Sequence, residues 1–207
     1  MRAVDCFGYL TEEIHTAVVA TVGDDGLPVT AAIDIMDYDD GGLYFLTAKG
    51  KSFYDRLKKR GYLALTGIHG ADTMSRVAVS VRGHVTELGD GLLPRLFRKN
   101  PYMAEIYPTA ESRKALTVIY LSDGNGEWFD LSKKPIERIS FAFGRARELC
   151  TGYVVTSACN GCRACEMVCP QKCVAFDGAL ARIEDEHCLH CGNCMNVCPQ
   201  KAIVRRG

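Results

Sequence analysis

The sequence predicts an α+β protein in two parts. A small antiparallel β-barrel with helices packed outside it comes first, and a short cysteine-rich unit follows. Three observations predict this. Runs rich in β-branched residues recur between Gly/Asp turns before residue 131, segments at helical spacing interrupt them, and eight of the eleven cysteines fall in two matching runs between Cys159 and Cys198. At 207 residues the chain has room for one medium domain and one small one.

Taken in order, residues 9–15 read as a short helical turn. Residues 16–22 are rich in β-branched side chains, Asp24-Asp25-Gly26 marks a turn, and 27–36 reads as the next strand. Asp39-Asp40-Gly41-Gly42 turns the chain into a strand over 43–47, so the first three strands read as an antiparallel meander. Residues 51–59 carry Phe53 and Leu57 against Asp55, Arg56, Lys58 and Lys59 at helical spacing. Residues 62–68 and 77–88 return to strand, and the second of these alternates well. Residues 92–107 look helical but are interrupted by Pro94 and Pro101. Residues 116–121 predict a strand, Asp123-Gly124-Asn125-Gly126 a turn, and 127–131 a last strand. Residues 132–152, with Lys133-Lys134-Pro135, read as a linker. The domains are therefore expected at 1–150 and 151–207.

The cysteines form two matching runs. Cys159, Cys162, Cys165 and Cys169 precede Pro170, and Cys188, Cys191, Cys194 and Cys198 precede Pro199. Both read C-x2-C-x2-C-x3-C-P, and a shift of 29 residues superimposes them together with the Gln-Lys after each proline. Such spacing supplies thiolates to a cubane iron–sulfur cluster, the fourth cysteine of each run reaching across to the other cluster. A disulfide scaffold is the weaker reading, because no secretory segment leads the sequence. Structural zinc uses two C-x2-C pairs without the C-x3-C-P tail. Core packing does not explain a duplicated spacing. Two [4Fe-4S] clusters are expected. Few large apolar residues lie in this segment, so the clusters must act as its core. Cys173 has Ala202 as its counterpart 29 residues on, and reads as a small packed apolar residue. Cys6 and Cys150 stand apart as ordinary reduced thiols.

On these motifs residues 157–206 resemble a bacterial-type ferredoxin with two [4Fe-4S] clusters. The resemblance implies Cys159, Cys162, Cys165 and Cys198 as ligands of cluster one, and Cys169, Cys188, Cys191 and Cys194 as ligands of cluster two. Residues 10–90 carry His15-Thr16-Ala17-Val18-Val19-Ala20-Thr21, then Gly26-Leu27-Pro28-Val29-Thr30, then Leu43 through Ser52, a helix with Leu57, and Tyr62-Leu63-Ala64-Leu65. This order of elements is similar to that of the FMN-binding split-barrel proteins of the pyridoxamine-phosphate-oxidase-like superfamily. The resemblance implies a six-stranded-type antiparallel split β-barrel with peripheral helices, FMN, and a homodimer with FMN at its interface. By position it brings the phosphate to Thr47, Lys49, Lys51 and Ser52, with Leu46 beside them, and the isoalloxazine edge to Pro28, Val29 and Thr30. The residue chemistry agrees: hydroxyls, ammoniums and backbone N–H groups just before a helix suit a dianion. Lys49 and Lys51 also fit an ordinary solvated loop. Trp128, the only tryptophan, is placed to cover a flavin ring or to serve as a core or interface aromatic.

His15, His69 and His84 read as structural histidines. His187 and His190 flank cluster cysteines and suit hydrogen bonds to sulfur or a proton path. The arginine- and histidine-bearing C-terminal segment of the vitamin B6 oxidase is missing, so pyridoxamine-phosphate oxidation is not expected. Zero formal net charge, with no basic block, argues against nucleic acid and an electrostatic membrane anchor, and no apolar run approaches 18 residues. Reduced thiols without a leader imply a cytoplasmic protein. The function these features predict is an FMN- and iron–sulfur-dependent oxidoreductase passing electrons between two clusters and FMN, to or from a small molecule, with a soluble electron donor or acceptor. The alternative is an electron-transfer protein or redox-complex subunit with no substrate of its own. From Thr151 to Gly207 there are six Lys/Arg and five Asp/Glu, a balance that lacks the one-signed face of a steered carrier. No catalytic acid or base stands out.

Overall fold

A computed structural model describes residues 1–149 and 151–206; the expectation for Cys150 lies outside the described residues. The chain divides into two compact units. The first comprises Met1–His69, Ala78–Glu127 and Phe141–Arg147, and the second Gly70–Val77, Trp128–Ser140 and Glu148–Gly207.

The first unit opens with α1 (Ala3–Tyr9), whose Asp5 carboxylate accepts from the Arg2 backbone N–H at 2.8 Å and so caps the helix start. The helix widens into one π turn, Leu10–Ile14, so the short helical turn expected at 9–15 is the end of a longer helical segment. Strands β1 (Thr16–Val22), β2 (Pro28–Asp39) and β3 (Gly42–Ala48) form the expected meander, with Thr16 opposite Asp34 and Val22 opposite Pro28. Helix α2 (Ser52–Arg60) buries Phe53 and Leu57 and stops at Gly61, whose φ of 62° only glycine adopts cheaply. Strands β4 (Tyr62–His69), β5 (Val77–Gly89) and β6 (Leu116–Asp130) complete the sheet order β3-β2-β1-β4-β5-β6-β7, where β7 is Glu137–Phe143. Pairing of β3 with β6, from Gly42 opposite Ser122 to Ala48 opposite Leu116, closes six strands into a barrel. Alternate residues of those strands, Val19, Ile35, Phe45, Leu63, Val79 and Ile119 among them, fill its interior.

Outside the barrel, α3 (Leu93–Lys99) and α4 (Met103–Ile106) bring Leu93, Leu96, Phe97 and Met103 onto Met36, Tyr44, Leu116 and Val118. Pro94 lies in the first turn of α3, where its missing N–H costs nothing, and Pro101 falls between the two helices. Asp37 is fully buried beside this layer and is held by Arg95 at 2.6 Å and by Lys99. A one-turn α5 (Ala110–Arg113) precedes β6.

Two expectations are corrected. Asp123-Gly124-Asn125-Gly126 is not a turn, because β6 runs unbroken from Leu116 to Asp130. Its glycines serve close strand approach instead: a Cβ on facing Gly83 would meet Ser122 O at 2.9 Å and Gly124 Cα at 3.1 Å, and the Phe141 ring fills the space over Gly126. The region read as a linker, 132–152, contains β7.

In the second unit β8 (Gly152–Val155) pairs antiparallel with β11 (Ile203–Arg206), and β9 (Val174–Asp177) with β10 (Leu180–Ile183). Short helices α6 (Ala164–Val168) and α7 (Asn193–Val197) occupy matching places in the two halves of the cysteine repeat. Its core cluster is Tyr153, Val174, Ala181, Ile183 and Ile203 with Cys165, Cys173, Cys188 and Cys194.

Candidate cluster and flavin sites

Each C-x2-C-x2-C run wraps a loop ahead of α6 or α7, and the two loops share backbone conformation as well as spacing. Gly161 and its counterpart His190 have φ of 73° and 55°, Arg163 and Gly192 have 63° and 81°, and Lys172 and Lys201 have 53° and 49°. Left-handed residues on either side of the second cysteine fold the loop tightly enough for three side chains to face one point.

Two cavities result. One is lined by Cys159, Cys162, Cys165 and Cys198, together with Val155, Phe176 and Ile203. The other is lined by Cys169, Cys188, Cys191 and Cys194, together with Cys173, Tyr153 and Ile183. The fourth cysteine of each run therefore lies in the cavity of the other run. Among the described residues no three His, Cys, Asp or Glu groups converge as ligands of one metal ion; the sulfurs ring a space instead. Four sulfurs around an apolar cavity are the donor set of a cubane cluster. Burial raises the thiols of Cys165, Cys188 and Cys194 above their ordinary range, so a metal must displace protons to bind there. Backbone N–H groups already point at ligand sulfurs: His190 N lies 3.4 Å from Cys188 Sγ, and Ala202 N lies 3.3 Å from Cys198 Sγ. Cys173 is buried as expected, yet it also lines the second cavity, with its Sγ 3.4 Å from Cys169 Sγ. His187 Nδ1 lies 3.0 Å from Ile136 O, and the His190 ring sits edge-on to Tyr153.

In the first unit the expected phosphate residues gather where β3 meets α2. Lys51 is the residue ahead of the helix and makes no side-chain cap, so the first-turn N–H groups are left to an outside acceptor. Lys49, Lys51 and Ser52 are exposed there. Thr47 is buried and its hydroxyl has no hydrogen-bond partner among the described residues, a donor awaiting an acceptor. These features fit the phosphate of FMN. Leu46 points to the other face of β3, onto the Met36–Leu96 layer. Pro28, Val29 and Thr30 lie exposed at the start of β2. Trp128 is buried in β6 and belongs to the second compact unit, whereas the other eight flavin candidates belong to the first. Arg56 was not singled out from the sequence. It stands one turn beyond Ser52 on the same face of α2 and donates Nε–H to Thr21 Oγ1 at 2.8 Å, and its i,i+4 spacing from Ser52 was the available signal.

The barrel histidines make structural contacts. His15 Nε2 lies 2.9 Å from Tyr102 Oη, which donates to Asp34 at 2.8 Å; His69 Nδ1 lies 3.1 Å from Tyr9 Oη; His84 packs edge-on to Tyr62. Cys6 is fully buried, and burial pushes its thiol up to about 12.

Comparison with known proteins follows the same division. Residues 8–122 match the family model described as pyridoxamine 5'-phosphate oxidase, and residues 158–202 match the 4Fe-4S dicluster domain. No curated protein matches the chain. Similar solved structures include a NimC/NimA family protein of Clostridium acetobutylicum, 14% identical over 68% of this chain and 91% of that one, with a TM-score of 0.57. Another, from the same organism, is a protein related to general stress protein 26 of B. subtilis (pyridoxinephosphate oxidase family). It is 19% identical over 65% of this chain and 90% of that one, with a TM-score of 0.51. At these identities the likeness is one of fold.

Proposed function

This chain belongs to the pyridoxamine 5'-phosphate oxidase family and carries a 4Fe-4S dicluster domain at its C-terminal end, and from that premise we propose an FMN- and iron–sulfur-dependent oxidoreductase that moves electrons between two [4Fe-4S] clusters, FMN and a small molecule. The observation that carries the proposal is the pair of cysteine-ringed cavities, each completed by the fourth cysteine of the other run, in the same chain as the barrel. Bound iron–sulfur clusters exchange single electrons, and a bound flavin handles one or two.

The chain's residues supply the surroundings. Cys159, Cys162, Cys165 and Cys198 hold one cluster, and Cys169, Cys188, Cys191 and Cys194 the other. The interleaving fixes the two sites at constant separation, because each loop is tied to its neighbour's site through one ligand. Lys49 and Lys51 would neutralise the phosphate, and Ser52 and the open N–H groups of α2 would donate hydrogen bonds to it, with Thr47 and Arg56 behind them. The flavin domain is proposed over residues 1–150 and the cluster domain over 151–207, although Gly70–Val77 and Trp128–Ser140 belong to the second compact unit. The homodimer is proposed on the exposed face of β1, β2 and β4, where Val18 and Ile68 are 57% and 58% accessible and Val22 and Tyr62 are also exposed. Pro28 and Thr30 lie at one end of that face, with Val29 between them on the Thr21 side, so a flavin against Pro28 and Thr30 would be covered by a second copy.

The test is anaerobic purification with iron and flavin quantified on one sample, then reductive titration followed by absorbance and EPR. About eight irons and one FMN per chain, reducing in linked steps, is the expected result. Eight irons without flavin would leave the carrier or subunit reading in its place.

A further inference from the structure

The two halves of the cysteine repeat match in spacing, in left-handed backbone positions and in helix placement, and they differ at one cavity-lining sulfur. Cys173 stands where the other half has Ala202. Cys173 is 3% exposed, lines the cavity of Cys169, Cys188, Cys191 and Cys194, and places its sulfur 3.4 Å from Cys169 Sγ. Ala202 is fully buried beside the other cavity and presents only its backbone N–H, to Cys198 Sγ at 3.3 Å.

A backbone donor reaches a ligand sulfur in each set, since His190 N faces Cys188. The set with Cys173 therefore has one side-chain donor more. We propose that the Cys173 thiol donates a hydrogen bond to the Cys169 sulfur and thereby makes the cluster of Cys169, Cys188, Cys191 and Cys194 the easier of the two to reduce. Reduction adds negative charge to the cluster and its thiolates, so a donor on a ligand sulfur stabilises the reduced form and raises the potential. Burial leaves the Cys173 thiol little access to solvent, so a neighbouring sulfur is its available acceptor. The competing influence is Arg163 at the first cavity, but this guanidinium is paired with Glu166 at 3.1 Å, stacked on Phe176 at 4.3 Å and more than half exposed, so its charge is offset and screened. Cys173 is thus a positioning residue acting through Cys169. It makes one cluster the resting place of the first electron and gives an otherwise duplicated unit a direction.

This inference rests on the two-cluster reading. The test is an EPR-monitored potentiometric titration of the full chain, with iron counted on each sample, for wild type, Cys173→Ala, Cys173→Ser and Cys169→Ala. The expected result is two separate midpoints in wild type. Cys173→Ala should lower the upper one, by a shift of up to about tenfold in the first electron's distribution, ~59 mV for one electron. Cys173→Ser, which keeps a donor, should retain most of the gap. Full iron with both midpoints unmoved in Cys173→Ala would overturn the proposal. So would loss of half the iron in Cys173→Ala with full iron in Cys169→Ala, which would make Cys173 the ligand. If Cys173→Ala does not assemble, the serine variant decides: two midpoints near those of wild type support the donor, and merged midpoints overturn it. Wild-type chain with fewer than about eight irons would remove the two-cluster reading first, and the inference with it.

Discussion

Lys51 carries two roles that separate at the level of one side chain. Its backbone precedes α2 without capping it, and its ammonium adds charge to an N-terminus already positive by its dipole. Lys51→Ala is expected to weaken FMN retention by about tenfold or more while iron content stays unchanged, measured by flavin release on dilution. Unchanged retention would move the phosphate elsewhere. Glu87 is a second site where one residue controls a measurable property. Lys58 Nζ donates to it at 2.8 Å, Thr117 Oγ1 at 2.8 Å and Tyr54 Oη at 3.1 Å, and Lys58 first among them holds its carboxyl below the ordinary range. A lowered folded value means that Glu87 stabilises the barrel above the ordinary carboxylate range and loses that contribution as pH falls through the folded value. Thermal unfolding midpoints measured from pH 7 downward should fall less steeply in Glu87→Gln than in the parent; identical slopes would show that other carboxylates govern the acid limb.

At the scale of elements, the cluster loops depend on backbone conformation that spacing alone does not reveal. Gly161 and Gly178 both have positive φ, at 73° and 62°, but a Cβ on Gly161 would meet Ala179 O at 2.5 Å, whereas one on Gly178 meets nothing within 4 Å. Gly178→Ala should cost only the left-handed penalty, about 1 kcal/mol. Gly161→Ala should cost several times that and deplete iron from the site of Cys159, Cys162, Cys165 and Cys198. Iron content and chelator resistance of the two variants compare them directly, and equal behaviour would show that the loop has room to adjust. Element placement was legible wherever periodicity and turn residues agreed, as in β1, α2 and β4. It failed at Asp123–Gly126, because glycine serves both reversals and close strand approach, and only the facing Gly83 distinguishes them.

Across the whole molecule the two units have different sources of stability. The barrel has an apolar interior of its own, while four of the nine core residues of the second unit are cysteines at or beside the cluster cavities. Removing iron with a chelator should unfold the strands β8 to β11 and leave the barrel folded with FMN in place. Cys194→Ser should remove about half the iron without loss of flavin. Far-UV circular dichroism with flavin fluorescence reads both outcomes, and flavin lost together with iron would tell against independent sites.

The sequence alone set the expected ligand chemistry and the order of barrel elements, because cysteine spacing and hydrophobic period are properties of neighbours along the chain. It carried the exchange of fourth cysteines only as an expectation of the repeat; the structure places each fourth cysteine in the lining of the other run's cavity. Tertiary structure alone decided that Cys173 faces the Cys169 sulfur, that the buried Thr47 hydroxyl has no partner among the described residues, that Arg56 reaches Thr21, and that Leu46 turns away from its neighbour Thr47. Each depends on which residues from distant parts of the chain share a face, and one-dimensional spacing leaves that open until the barrel closes and the two cysteine runs interlock.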